Sequence, residues 1–159
     1  MKLTKKDFKN GEYVGEIDFT TKYEGSIEIE GGLGLVKFKR LLVSGRIVAD
    51  CGTSISAGTS ISAGEGISAG WGISAGEGIS AKLTLKVGYR VFAGISRWVK
   101  NPTTEQLQIK CGKFEGGEIC YGNLVETGLP EDENVNQRAA SPCDHKQTTP
   151  FCSQCGAKL

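Results

Sequence analysis

Between residues 52 and 81 a large apolar residue returns at every sixth position, and almost everything between the returns is serine, alanine or glycine. Ile55, Ile61, Ile67, Ile73 and Ile79 form the first column, which continues as Leu85 and Val91. Two residues after each isoleucine stand Ala57, Ala63, Ala69, Ala75 and Ala81, then Val87. Ser56, Ser62, Ser68, Ser74 and Ser80 lie between the columns. Alternate side chains of a strand point to opposite sides, so each Ile-Ser-Ala triplet reads as a short strand with isoleucine and alanine inward and serine outward. The remaining residues, such as Gly64-Glu65-Gly66 and Gly70-Trp71-Gly72, read as corners, where glycine supplies the positive φ of a tight turn. A helix does not fit, because a period of six scatters the isoleucines over its faces and each interior glycine costs about 1 kcal/mol relative to alanine. Strand and corner at fixed length predict a β-solenoid. With three sides to a turn, residues eighteen apart stack. Thr53, Trp71 and Tyr89 then share one column, and Thr59 and Glu77 another. Traced backward, the isoleucine column meets Ala49 and the alanine column meets Cys51.

The spacing reaches further toward the N-terminus in another register, through Ile17, Tyr23, Ile29, Leu35, Leu41 and Ile47. Less regular turns of the same solenoid are one reading of that series, and ordinary hairpins are the other. After the repeat, LTLKVGYRVFAGI alternates and reads as strand. QLQIKC and EICYGNLVE, joined by GKFEGGE, read as a β-hairpin over 107–126. Cys111 and Cys120 are expected there as small buried residues, placed to face each other across it. ETGLPEDENVNQRAASP has no periodicity, few apolar residues and an acidic cluster, which is linker composition. The expected organisation is all-β: a solenoid domain over 1–125 with its repeat core at 49–91 and the hairpin at its end, a linker over 126–142, and a small module over 143–159.

Charge narrows the function little. The 19 basic and 18 acidic residues nearly cancel, so neither nucleic acid nor a membrane surface is favoured as a partner. No apolar stretch approaches the roughly 20 residues of a membrane span, and MKLTKKDFKNGEY lacks the apolar segment of a secretory signal. Six cysteines in such a chain point to reduced thiols or metal ligands rather than a disulfide framework. The expected location is cytoplasmic.

Candidate chemistry gathers at the C-terminus. SPCDHKQTTPFCSQCGAKL holds Cys143, His145, Cys152 and Cys155, three thiolates and one imidazole, which is a full tetrahedral Zn2+ set. Some seventeen residues with Phe151 as the only aromatic cannot build a core, so order there calls for a metal staple. Four protein ligands leave no position for water, and the expected role of the zinc is structural.

Three resemblances follow. The six-residue unit resembles the hexapeptide-repeat β-helix, in which three such faces make one triangular coil, although here the small residue follows the aliphatic one by two. FCSQCGAKL resembles the second knuckle of a zinc ribbon, in which Gly156 would allow the turn that aims amides at the sulfurs. GYRVFAGISRW followed by QLQIKCGKFEGGEICYGNLVE resembles small proteins encoded by bacteriophages and integrated elements of Gram-positive bacteria. That last resemblance implies the cytoplasm of a bacterial host as the setting and contains no catalytic motif.

Enzymes built on hexapeptide solenoids, acyltransferases and carbonic anhydrases among them, lean on histidine. The one histidine here, His145, belongs to the metal set. Glu65 and Glu77 fall on different corners of a three-sided coil, so they do not share a substrate. The expectation is a non-enzymatic protein that binds a host protein, in its narrowest form an inhibitor of a host defence nuclease of the anti-CRISPR type. Trp71 is the candidate anchor, with Glu65, Glu77, Lys37, Lys39 and Arg40 as candidate contacts; burial of Trp71 under a neighbouring segment and solvation of the charged run are the plainer readings. Two alternatives remain open: a nucleic-acid-binding zinc module held as an oligomer by the solenoid, or a self-assembling structural protein whose open ends stack.

Overall fold

The computed structural model describes residues 1–96 and 99–129. Within them the backbone winds through about five turns of a parallel β-solenoid. Four short elements precede the first turn: β1 (Lys2–Leu3), a 3-10 helix (Lys5–Asp7), β2 (Phe8–Lys9) and β3 (Glu12–Tyr13). The turns follow in sequence, three strands each. They are β4 (Ile27–Ile29), β5 (Gly34–Phe38) and β6 (Leu41–Val43), then β7 (Ile47–Ala49), β8 (Thr53–Ala57) and β9 (Ile61–Ala63). The repeat continues with β10 (Ile67–Ala69), β11 (Ile73–Ala75) and β12 (Ile79–Ala81), then β13 (Thr84–Val87), β14 (Arg90–Ala93) and β15 (Gln108–Cys111). The last turn is β16 (Lys113–Glu115), β17 (Glu118–Tyr121) and β18 (Asn123–Glu126).

Every third strand stacks on the same side. The first face is β1-β4-β7-β10-β13-β16, the second runs from β17 through β14, β11, β8 and β5 to β3 and β2, and the third is β18-β15-β12-β9-β6. Pairing is parallel between turns; the β2–β3 pair is antiparallel. Ile55, Ile73 and Val91 stand in register across three turns, and so do Ile61 and Ile79, in steps of eighteen. Isoleucine and alanine of each triplet are buried while serine reaches the surface. Burying one isoleucine stabilises by about 1.5–3 kcal/mol, and this column repeats that gain at every side. The expected corner columns form: Trp71 N–H donates to Thr53 O (3.2 Å), Tyr89 N–H to Trp71 O (2.6 Å) and Glu77 N–H to Thr59 O (2.9 Å).

The repeat glycines serve a different end from the one expected. Gly64, Gly76 and Gly88 do not adopt positive φ. A Cβ on each would run into a carbonyl oxygen of the preceding turn, that of Ser44, Gly58 and Gly70 respectively. Turns stacked about 4.8 Å apart leave no room for a methyl at these corners. Space, not backbone freedom, selects glycine there.

The solenoid does extend toward the N-terminus, but not in the register of Ile17, Tyr23 and Leu35. Ile29, Leu41 and Ile47 are buried, whereas Leu35 is exposed and Val36 takes the inward place opposite Ile55. Ala49 aligns with Ala69, in the alanine column rather than the isoleucine column, and Cys51 is exposed at a corner. These turns are longer: Ile47 to Ile67 and Leu41 to Ile61 are steps of twenty, and Val36 to Ile55 is nineteen. Extra corner residues carry a count of six out of phase, while each strand keeps its own alternation.

Residues 107–126 do not form a hairpin. They make four strands, each laid parallel on the turn before: β15 on β12, β16 on β13, β17 on β14 and β18 on β15. A hairpin would leave the edges of β12, β13 and β14 unpaired, and winding onward covers them. Cys111 is buried as expected, but Cys120 is exposed, at the point where β17 slips by one residue against β14.

A hairpin with a cluster of aromatic rings packs at the N-terminal end. Asn10 (φ 53°) and Gly11 (φ 80°) turn β2 back onto β3, the paired left-handed geometry that suits a two-residue hairpin. Phe8, Tyr13, Phe19, Tyr23 and Phe38 then form a chain of ring contacts with centroids 5.1–5.8 Å apart. Phe19 and Phe38 are buried within it.

Candidate functional site

The six solenoid residues singled out from the sequence do not come together. Trp71 stands on the corner between the first and second faces, in the turn from β10 to β11, and is 55% exposed. Glu65 occupies the corner from the third face to the first, where its carboxylate meets Arg46 Nε at 3.3 Å. Glu77 lies on the remaining corner, from the second face to the third. Lys39 shares that corner: Thr59 N–H donates to Lys39 O (3.0 Å) and Glu77 N–H to Thr59 O, so the two residues sit two turns apart, roughly 10 Å. Arg40 is tied down beside them, its Nε donating to Thr59 Oγ1 at 3.1 Å. Lys37 projects outward from the second face in line with Ser56. Of the five charged candidates, only Lys37 shares a face with Trp71.

The second face carries what the sequence left out. Leu35 aligns with Ser54, whose Oγ accepts the N–H of Gly72 (3.2 Å). Lys37, Ser56, Ser74 and Phe92 make the neighbouring outward row. Serines and a glycine thus form a flat floor between Leu35 at one end and Phe92 at the other. Trp71 and Tyr89, in adjacent turns, stand along its edge, and Tyr89 is 61% exposed. The guanidinium of Arg90 lies 4.7 Å from the centre of the Tyr89 ring, a cation–π contact worth about 0.5–1 kcal/mol at such an exposed site. Leu35, Ser54, Trp71, Tyr89, Arg90 and Phe92 line a shallow groove of about 270 Å³.

Volume does not choose this groove, since the first face holds hollows of about 280 Å³ beside Arg46, Glu65 and Lys86 and about 460 Å³ beside Asp50 and Lys86, and the third face one of about 440 Å³ beside Glu105 and Lys110. Chemistry does. Those hollows are all bordered by charged side chains, whereas that of the second face is rimmed by exposed aromatic rings with one cation. Tyr89 was within reach of the sequence, standing in the Trp71 column eighteen residues on. Leu35 was hidden by its misplaced register.

The perturbed titrating groups lie elsewhere. Hydrogen bonds from the Thr20 hydroxyl (2.6 Å) and amide (2.9 Å) lower the pKa of Asp18, and the Lys113 ammonium at 2.9 Å lowers that of Glu115. Burial raises Tyr13 in the N-terminal hairpin. Burial, helped by the Glu126 carboxylate, raises the Cys111 thiol. None of these four lines the groove. Among the described residues no group of three or more His, Cys, Asp or Glu is placed to hold a metal, and no helix is long and apolar enough to cross a membrane. Cys143, His145, Cys152 and Cys155 lie outside the described residues, as does nearly all of the linker expected over 126–142. No family model, curated protein or solved structure matches the chain.

Proposed function

We propose that the chain is a binding protein without chemistry of its own, which docks another protein on the second face of the solenoid. The observation that carries the reading is the pair Trp71 and Tyr89, both more than half exposed and side by side along one groove. Large aromatic side chains contribute most of the energy at protein interfaces because they bury much area for little entropy loss. The serine floor supports the same reading, since short side chains on paired strands have little freedom left to lose on docking. In the phage or mobile-element setting the partner is a host protein, in the narrowest version a defence nuclease.

The C-terminal residues complete the proposal: Cys143, His145, Cys152 and Cys155 hold one structural Zn2+. Elemental analysis of the purified chain is expected to find one zinc per chain, and Cys152→Ser to lose it. Full retention of zinc in that variant would refute the ligand set. The binding reading is tested by affinity capture from bacterial lysate with and without nuclease treatment. One dominant protein retained after nuclease is expected; recovery of nucleic acid alone would move the role to the zinc module.

A further inference from the structure

The two ends of the solenoid are not equivalent. At the N-terminal end the β2–β3 hairpin packs its aromatic rings over the coil, and β1 and β2 are the outermost strands of their sheets. At the C-terminal end β16, β17 and β18 are the outermost strands of their sheets. The outer edge of β16 is met by the chain itself, the Glu126 carboxylate accepting the Phe114 N–H at 2.6 Å. No described strand follows β17 or β18. Their inward residues, Ile119 and Leu124, top the Val91 and Ile109 columns, yet Ile119 is only half-buried and Leu124 is 39% exposed. Unpaired strand edges beside apolar side chains are a template for another strand.

We infer that this end docks a second copy of the chain, β17 of each copy pairing antiparallel with β18 of the other about a two-fold axis through the Gly122 corner. Two identical coils meeting end to end about such an axis run in opposite directions, so their strands pair antiparallel. The register is decided by side-chain direction. With Gly122 on the axis, Tyr121 of one copy faces Asn123 of the other, both outward. The one-residue slip at Cys120 then brings Ile119 opposite Leu124, both inward, and Glu118 opposite Val125. Without that slip Ile119 would face an outward residue and the two apolar columns would not join. The same register keeps Glu118 and Glu126 from standing opposite each other. An isologous contact closes on itself, so this end-to-end pairing joins two copies and no more.

The test is the mass of the full-length protein in solution across a concentration series, by sedimentation equilibrium or light scattering. The expected result is a species of twice the 16.9 kDa chain that does not grow further with concentration. Leu124→Lys is expected to give a monomer with an unchanged circular dichroism spectrum, and Trp71→Ala to remain a dimer. A wild-type monomer throughout, growth beyond the dimer, or a folded Leu124→Lys that still dimerises would each overturn the inference. Should Leu124→Lys fail to fold, hydrogen exchange of the wild type decides. The Ile119 and Leu124 amides are expected to lose protection on dilution, and protection independent of concentration would overturn the inference equally.

Discussion

A methyl group is the unit in which this fold is decided at its corners. Gly76 has no space for a Cβ because the Gly58 carbonyl of the preceding turn lies against it, so Gly76→Ala is expected to destabilise by about 1–3 kcal/mol, the usual range for overpacking. Ser74→Ala, on the outward side of the same turn, is expected to stay within about 0.5 kcal/mol. Denaturant unfolding of the two variants checks the contrast, and equal midpoints would sink the steric account. The cysteines make a second residue-scale case. Cys51 and Cys120 are exposed and Cys111 is buried, so mass mapping of timed alkylation is expected to find the first two labelled well before the third. Burial also keeps the Cys111 thiol neutral in the fold. As pH rises through the ordinary thiol range of about 8–9 the unfolded chain gives up that proton first, so the stability carried by the neutral thiol is lost. Cys111→Ala is expected to flatten that part of the alkaline decline in the unfolding midpoint.

The strand is the scale at which sequence and structure agree best. Four of the five Ile-Ser-Ala triplets became three-residue strands and the first lies within the five-residue β8, all with the alternation read from them, because two inward side chains and one outward one admit a single orientation. Ile73→Ala, removing the middle of a column between Ile55 and Val91, is expected to cost about 2–5 kcal/mol. A loss near that of Ser74→Ala would contradict the inward assignment. What the sequence hid lies between the strands. A corner with one or two extra residues shifts the count but not the alternation, which is why Leu35 was placed inward and Val36 was overlooked. The closing strands misled for a related reason: GKFEGGE between two apolar runs is equally good for a hairpin and for two corners of a coil. Pairing with β12, β13 and β14 decides between them, and that partner is remote in sequence. The N-terminal hairpin was not read from the sequence, although Asn10-Gly11 adopts the left-handed pair that marks a two-residue hairpin. The groove was half legible, since stacking by eighteen put Tyr89 beside Trp71, but its floor and far ends depended on the register of β5 and β14.

At the scale of the solenoid formed by the described residues, three stacked sheets present three unlike faces. The first face is edged by charge at Lys2, Glu28 and Lys86, the second by aromatic rings, and β17 and β18 are outermost among the described strands. The Ile and Ala columns depend on none of the outward residues, so Trp71 and Tyr89 are expected to be replaceable with little loss of stability. Thermal unfolding of Trp71→Ala within a few degrees of the wild type checks that independence. The central claim is that the second face, and not merely the chain, selects the partner. Its most direct measurement is quantitative capture of the partner by matched full-length variants: Trp71→Ala and Tyr89→Ala on the second face, and Lys86→Ala on the first. The account predicts capture lost in both aromatic variants and unchanged in Lys86→Ala. Capture that survives both aromatic substitutions, or falls only with Lys86→Ala, would place the binding surface elsewhere and contradict it.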